Sequence, residues 1–483
     1  MDKTKLLNIL SPVLLIFTTV LVILFSRGWR LDIQEGTVVN TGILDISSEP
    51  RGAQIFIDGL QKGKTPTVID SLLPGKYQLE LRKDLYTSWT KEITIKEEYV
   101  TKIVANLFEE ENELTQITDQ PVEDVIFSEL GNEALILNKH NGNQGLWKIQ
   151  LNQSFFQSER SKTKIINLVE PGYFDLLKSE YKIIPNENFS KAILKVNNDR
   201  EDSRYFLLNL MRGSSEITDI TEYLYLNEDF LWLKDNITIA IEQTEKLMLF
   251  NTNDFSLSVL SNWPVLTWSA GNNFIYFINN NPLIDERKVF KTTLDGLSRE
   301  ELIIEGEIEM DDISSIYFNQ GYLSILFTTS NRTYLYNLKT NKVVLINEES
   351  LRSVSTSPNE RYVLLSRDSE TIKYVYDFEE NLLKEYNTQA ENLNVEKLKW
   401  SPNGLKIFYR YTLDTGNNKI VSMDYDGSNF YELINFTEYQ GRFDSSFGFK
   451  SDSKEIFFPL PVNTEDLEHK NSWEEYIFKL QLR

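Results

Sequence analysis

Short apolar segments alternate with polar turns along most of the chain, and this pattern is typical of β-strands rather than of helices. From residue 111 onward a longer unit recurs, in which a short strand, a polar turn and a second apolar strand follow one another. Residues 6–25 show neither pattern, because they are apolar almost throughout. Nearer the N-terminus, the alternation predicts strands at 43–46, 54–57, 76–82, 92–96 and 101–107.

The apolar N-terminal segment, residues 6–25, has no charged side chain over 20 positions. As a helix it would measure roughly 30 Å, the thickness of the hydrocarbon core of a bilayer. A cleaved signal peptide has a shorter apolar region and a small-residue cleavage site, whereas this segment closes with Phe25 and an arginine two residues later. We therefore predict a short cytoplasmic stub at residues 1–5, an uncleaved transmembrane helix at 6–25 and a juxtamembrane linker at 26–39.

The charges that flank this helix do not decide its orientation, since Lys3 and Lys5 precede it and Arg27 and Arg30 follow it. The stub is short and the chain has no Cys, which fits a large extracytoplasmic body. We therefore predict a single-pass protein of the cell membrane with the bulk of the chain outside the cytoplasm. A cytoplasmic body is the alternative.

Residues 40–108 are predicted to form a small β domain whose strands are separated by Pro and Gly turns. The turn residues run in the order Pro50, Gly52, Asp58-Gly59, Gly63, Pro66 and Pro74-Gly75. In this spacing the segment resembles the PEGA domain, a small β-sandwich module of prokaryotic surface and membrane-tethered proteins. The resemblance implies an extracytoplasmic or wall-associated module without catalysis. Arg51 departs from the family motif at a turn position where the side chain should be solvated.

The strand–turn–strand unit occurs eight times in residues 111–483, and two further strands follow most copies. Eight units over this length give about 47 residues each, within the 40–50 residues of a propeller blade. The copies lie at 125–137, 181–196, 230–242, 266–278, 316–327, 354–366, 398–410 and 447–459.

The clearest copy contains Trp400-Ser-Pro-Asn-Gly404, and Asp424-Tyr-Asp-Gly-Ser-Asn429 follows its third strand. Both strings resemble the blade signature of TolB-type and WD40-like β-propellers. We therefore predict an all-β chain apart from the N-terminal helix, with a propeller at 111–483 of eight blades, seven being the alternative. The last unit lacks a fourth strand, and residues 113–118 are predicted to supply it and close the ring.

Composition removes several classes of site. The chain has 50 Lys plus Arg against 72 Asp plus Glu, a net charge of -22, two His and no Cys. Disulfides, Cys-ligated zinc and iron–sulfur clusters are excluded, and His140 and His469 cannot build a three-histidine metal site. The acidic balance argues against nucleic acid as a partner.

Candidate chemistry is sparse. Asp424, Asp426 and Asn429 begin like a calcium loop, but the twelfth position is Asn435 where a bidentate Glu is needed. Acidic clusters at 109–111 and 465–468 are expected to be solvated loop charge. Nucleophile-elbow, phosphate-loop and dinucleotide motifs are missing from the sequence. We therefore predict no catalytic, cofactor-binding or metal-binding residues and no cofactor.

Two classes of function remain open on these grounds. The first, which we predict, is a membrane-anchored extracytoplasmic binding or scaffolding protein that presents its propeller to a protein or a cell-wall glycan and is not an enzyme. The alternative is an extracytoplasmic carbohydrate-active hydrolase or lyase that uses carboxylates in the propeller channel. Paired buried carboxylates in the channel would favour the enzyme.

Overall fold

The computed structural model divides the chain into two compact units, residues 1–112 with 482–483, and residues 113–481. It describes residues 15, 16, 18–20, 22, 29–32, 37–110, 114–118, 120–129, 133–139, 144–151, 162–197, 203–211, 216–224, 230–243, 246–261, 264–279, 287–304, 308, 310–367, 372–386, 398–412, 418–436, 447–450, 455–465 and 471–481.

Six positions of the predicted transmembrane segment are described, at 15, 16, 18–20 and 22, and all of them are helical. The rest of residues 6–25 lies outside the described residues. Within the part of the chain that the structure describes, no helix has the length and apolar character needed to cross a membrane. The transmembrane helix therefore stays a prediction.

The first unit contains two packed sheets and a separate hairpin of β1 and β2. One sheet has the order β6-β3-β9, in which β3 and β9 are parallel, and the other has the order β5-β4-β7-β8. The strands are β1 (Trp29–Asp32), β2 (Thr37–Asn40), β3 (Gly42–Glu49), β4 (Gln54–Ile57), β5 (Leu60–Lys64), β6 (Thr67–Leu72), β7 (Gly75–Arg82), β8 (Trp89–Ile95) and β9 (Val100–Asn106).

The core of this unit is built by alternate residues of each strand. Leu44 and Ile46 from one sheet meet Ile55, Leu79 and Leu81 from the other, and all five side chains are buried. Positive φ at Asp58 and Gly59, 48° and 78°, matches the tight hairpin turn that the sequence predicts there. Strands β5 and β6 were not predicted, because most of their side chains are exposed or half-buried and they lack a clear apolar alternation.

The second unit is assembled from four-stranded antiparallel sheets, and its described residues form eight of them. Each of the eight predicted units supplies the first two strands of one sheet, which confirms the all-β prediction for this region. The first four sheets comprise β11 (Asp124–Phe127), β12 (Glu133–Asn138), β13 (Gly145–Gln150) and β14 (Lys162–Ile166); β17 (Glu180–Pro185), β18 (Lys191–Asn197), β19 (Ser203–Asn209) and β20 (Ile217–Asp219); β21 (Phe230–Trp232), β22 (Thr238–Gln243), β23 (Lys246–Asn251) and β24 (Leu257–Val259); and β25 (Val265–Ala270), β26 (Phe274–Asn279), β27 (Lys288–Thr293) and β28 (Arg299–Leu302).

The remaining four are the fifth, sixth, seventh and closing sheets. Between sheets lie a small hairpin of β15 (Val169–Glu170) and β16 (Phe174–Asp175), helix α1 (Thr221–Leu224) and a 3-10 turn (Met310–Asp312). The strands are β29 (Ile313–Asn319), β30 (Ser324–Thr329), β31 (Thr333–Asn337) and β32 (Lys342–Asn347); β33 (Arg352–Thr356), β34 (Tyr362–Ser366), β35 (Ile372–Asp377) and β36 (Leu382–Glu385); β37 (Leu398–Trp400), β38 (Lys406–Thr412), β39 (Asn418–Asp424) and β40 (Tyr431–Phe436); and, in the closing sheet, β41 (Gly448–Phe449), β42 (Glu455–Glu465), β43 (Asn471–Gln481) and β10 (Leu114–Gln116).

The closing sheet joins the two ends of the second unit. Strand β10 lies antiparallel to β43, with Leu114 opposite Leu480. Just beyond it, the amide of Ile117 donates to the carbonyl of Ile477 at 2.7 Å, and the amide of Ile477 donates to the Thr118 hydroxyl at 3.0 Å. The prediction that residues 113–118 supply the missing strand of the last unit is thereby confirmed.

Successive sheets pack face to face around a ring. The first and closing sheets share a core that includes Phe127 and Phe457, and Phe408 of the seventh sheet lies 4.8 Å, centroid to centroid, from Phe449 of the closing sheet. Similar apolar clusters join the first to the second sheet and each later pair up to the sixth and seventh. Meander sheets packed around a closed ring define a β-propeller.

Candidate functional site: inner strands and turn end

The first strand of each sheet lines the axis of the ring. The fourth strands are largely exposed, as in β24 and β28, whereas all six side chains of the second strand β30 are buried. First strands of neighbouring sheets also touch through their side chains, which requires them to converge. The hydrogen bonds are Trp232 Nε1 to Ile184 O (3.0 Å), Thr356 Oγ1 to Tyr317 Oη (2.7 Å) and Trp400 Nε1 to Ser355 Oγ (2.8 Å).

At one end of the ring, which we call the turn end, each first strand turns into the second and each third strand into the fourth. The turns between first and second strands contact one another from sheet to sheet. Asn and Gln side chains make these contacts. The hydrogen bonds are Asn186 Nδ2 to Asn236 O (3.0 Å), Asn272 N to Gln320 Oε1 (3.1 Å) and Asn359 Nδ2 to Asn403 O (3.1 Å).

One ion pair at the turn end joins sheets that are not neighbours. Lys234 lies in the turn after β21 of the third sheet and Glu360 in the turn after β33 of the sixth, and their Nζ and Oε1 atoms are 3.3 Å apart. Because each sheet of a ring packs only on the next, these two turns can meet only across the axis. Lys234 is 47% exposed and Glu360 22% exposed, so the pair is a solvated bridge across the opening.

The fifth sheet holds Glu360 in place. The Glu360 carboxylate accepts a short hydrogen bond from the Gly321 amide, and its carbonyl accepts one from Asn319 Nδ2 at 2.7 Å. Nearby, burial and, to a lesser extent, the Glu360 charge raise the pKa of Tyr317 to about 12, although the hydrogen bond with Thr356 opposes this. Tyr317 is therefore a neutral hydroxyl at physiological pH.

Among the described residues, Asp377 and Asp424 are the carboxylates that are buried as whole residues, and both are paired within their own sheets. Glu349 is half-buried, and its buried Oε2 atom makes no hydrogen bond to the described part of the chain. Asp377 receives two nitrogens of Arg361, with Nη2 at 2.8 Å, and Asp424 lies 2.7 Å from Lys406 Nζ. Both carboxylates sit at the end of a third strand, away from the first strands that line the axis. Neither is placed to serve as a free acid or base in the channel.

The calcium-like string forms the turn between β39 and β40. The second carboxylate oxygen of Asp424 accepts from Asn429 Nδ2 at 2.8 Å, and Asp426 accepts from the Ser428 hydroxyl at 2.6 Å. With Lys406 on the first oxygen, the Asp424 carboxylate is already neutralised by a protein cation. Among the residues with described positions, no three His, Cys, Asp or Glu side chains are grouped as metal ligands.

The other residues singled out from the sequence do not form a site in the described structure. Glu109 accepts a hydrogen bond from the Tyr86 hydroxyl at 3.0 Å within the first unit. His140, His469 and the acidic residues 466–468 lie outside the described residues. The contacts that sequence reasoning missed are those at the axis, because Lys234 and Glu360 are 126 residues apart. Glu360 follows a Ser-Pro-Asn turn at 357–359, but the turn that carries Lys234 lacks this string.

Residues 41–111 match the PEGA domain family model. This agrees with the resemblance noted in the sequence, and the chain therefore combines a PEGA domain with a β-propeller. No curated protein matches the chain.

Solved structures similar to this chain are distant. They include Porphyromonas gingivalis dipeptidyl peptidase 4 (TM-score 0.42, 10% identity, covering 71% of this chain and 56% of the peptidase), an oligogalacturonate lyase in complex with manganese (0.39, 10%, 77% and 98%) and TolB from Acinetobacter baumannii (0.29, 15%, 63% and 79%). This chain thus aligns with just over half the length of the peptidase. At these TM-scores we draw no functional argument from the likenesses.

Proposed function

We propose that the protein is a membrane-anchored extracytoplasmic binding or scaffolding protein, which presents an eight-bladed propeller to a protein or a cell-wall glycan. The observation that carries the binding half is the pairing of buried charge. The described buried carboxylates, Asp377 and Asp424, are neutralised by Arg361 and Lys406 away from the axis. The first strands line the axis with hydrogen-bonded aromatic and hydroxyl side chains. Such side chains are better suited to contact with a bound partner than to proton transfer.

The enzyme alternative requires more than this arrangement offers. Glycosidases place two carboxyl groups roughly 5–9.5 Å apart, with at least one free to exchange a proton. Glu360, the acidic residue bridging the axis, is engaged by Lys234 and by the Gly321 amide. No specific observation favours the hydrolase or lyase. Turnover by the purified protein that disappears in one channel-carboxylate variant would reinstate it.

Membrane anchorage and orientation rest on the uncharged length of residues 6–25 and on the PEGA match at 41–111. Protease added to intact spheroplasts tests both. We expect removal of the bulk of the chain, with a short membrane-bound fragment remaining. Protection of the whole chain would reverse the proposed orientation, and release of the intact chain into the soluble fraction would contradict the anchor.

The fourth sheet provides matched positions for finding the binding face. Leu297 lies in the turn before β28 and is 88% exposed, whereas Ile303 follows β28 at the opposite end of the ring and is 77% exposed. A photo-crosslinking amino acid at each position, in the full chain in cells, should yield one defined adduct from one end and none from the other. The exposed Glu300 within β28 is the control on the outer edge. Equal labelling from all three positions would contradict a specific face.

A further inference from the structure

The ring is closed by a short strand from the N-terminal end of the second unit. Strand β10 has three residues, all exposed, and it is the fourth strand of the closing sheet. In the other seven sheets the fourth strand follows the third along the chain, so covalent connectivity holds it in place. Strand β10 instead comes from the opposite end of the unit, and only non-covalent contacts hold it to the other strands of its own sheet.

Strand β20 of the second sheet has nearly the same sequence as β10 but follows the third strand of its sheet along the chain. Residues 114–118 read Leu-Thr-Gln-Ile-Thr, and residues 217–221 of the second sheet read Ile-Thr-Asp-Ile-Thr. Thr221 accepts a hydrogen bond from the Tyr205 amide at 3.0 Å, as Thr118 does from Ile477 at 3.0 Å. The two strands thus share the threonine hydrogen bond to the neighbouring strand, although Asp219 adds an ion pair with Arg204 that Gln116 does not make. They also differ in how they are connected to their sheets.

Strand β10 is also where tension would enter the propeller. Three residues separate Glu110 from Leu114, so β10 follows the PEGA domain directly along the chain. A pull on any N-terminal part of the chain therefore reaches the propeller at Leu114. Leu114, opposite Leu480, is the first residue of β10 and therefore the first paired residue that such a pull reaches.

We propose that β10 is a force-released latch: tension on the N-terminal side peels it from β43 before any other part of the propeller yields. Release withdraws Ile117 and Val122 from the core they share with Phe457 and Ile477. It also frees the edge of β43, a row of backbone donors and acceptors that can pair with another strand. That such tension arises in the cell rests on the proposed function, in which the N-terminus is anchored while a partner holds the propeller.

Pulling on single molecules tests the latch without any partner or membrane. One handle is attached at the N-terminus and one at Lys339→Cys, an exposed position in the fifth sheet and the only thiol in a chain without Cys. Freeing residues 114–123 should give a first propeller step of roughly 35 Å, at about 3.5 Å per residue. Unfolding of the PEGA domain should lengthen the chain by about 245 Å, and unfolding of the propeller beyond β10 by many hundreds of Å. Both gains in length are readily distinguished from the first step.

Two threonine variants decide whether that step is the latch. Thr118→Ala leaves the Ile477 amide without its partner, so the closed state should last about tenfold less long at a given force. Thr221→Ala removes the equivalent bond from a covalently connected strand and should leave the first step unchanged. The proposal would be overturned if the propeller unfolded without the short step. It would also be overturned if Thr118→Ala and Thr221→Ala reduced the lifetime of the closed state equally. These outcomes are independent of the crosslinking result, so failure of the latch and failure of the proposed function are separable.

Discussion

Replacing Lys406 by Met should destabilise the propeller more than an ordinary surface change. Lys406 and Asp424 are 3% and 7% exposed at the side chain, and their Nζ and Oδ1 atoms are 2.7 Å apart. Without the ammonium group, a carboxylate remains buried with only neutral partners, which costs about 3–5 kcal/mol. Unfolding roughly 370 residues carries an entropy near 0.8 kcal/mol/K, so the melting temperature should fall by about 4–6 °C.

The same ion pair supplies its own rescue. The double variant Lys406→Met/Asp424→Asn has no charge at either position. Its side-chain oxygen at 424 can still accept the hydrogen bond that Asn429 Nδ2 donates, over 2.8 Å, to Asp424 in the unchanged protein. We expect most of the lost stability to return. Lys384→Met is the matched control, because Lys384 is 33% exposed and lies 3.7 Å from Glu380. It should change stability by less than about 1 kcal/mol.

Calorimetric melting of the four proteins, in the same detergent and at the same salt concentration, measures these differences. The burial argument fails if Lys406→Met melts within a degree of Lys384→Met. The double variant has no buried charge and should therefore be more stable than Lys406→Met. The argument also fails if the double variant is the less stable of the two.

Three further predictions concern other parts of the propeller. Trp400→Phe removes the donor that Trp400 offers to the neighbouring first strand, and thermal melting should show a loss of about 1 kcal/mol. Burial alone would raise the pKa of Asp219, but hydrogen bonds from Thr221 and Arg204 lower it, so Asp219 stabilises the fold above its ordinary pKa. The deficit of Asp219→Asn at neutral pH should therefore shrink below about pH 4 and vanish below the folded-state pKa in denaturant titrations. Exchanging the charges of the axial pair, Lys234→Glu with Glu360→Lys, should recover part of the loss caused by Lys234→Glu alone, and the recovery should shrink in high salt.

Local patterns were sufficient to predict the sheets. The alternation of residues 54–57 and 101–107 reflects burial of one face, and the same rule identified the first two strands of every propeller sheet. The spare strand at 113–118 was predictable because its sequence matches other fourth strands and the last unit lacked one. Among the strands missed were β1 and β2, which fall largely in the predicted linker, and β5 and β6, whose side chains are exposed or half-buried and leave no periodic signal.

The candidate site was far less predictable, because it depends on which turns the ring brings together. Lys234 and Glu360 belong to copies of one repeat, and nothing in either copy marks the other as its partner. Contact between them follows from the number and tilt of the sheets. The Asp424 string shows a different case, since its first residues resemble a calcium loop but Asn435 led us to predict no metal there. In the structure the cation beside Asp424 is Lys406, from the neighbouring strand.

Ring closure and tethering place opposite demands on the same five residues. A propeller gains stability when its last sheet is completed, and an N-terminal strand can do this only by remaining in contact with β43. In the tethered protein that we propose, tension would pass through the segment that precedes the propeller, which leads directly into β10 along the chain. Three exposed strand residues, supported by Ile117 and Thr118, must satisfy both demands. On the latch proposal, we expect the strength of those few contacts, rather than that of the larger cores between sheets, to set the tension at which the ring opens.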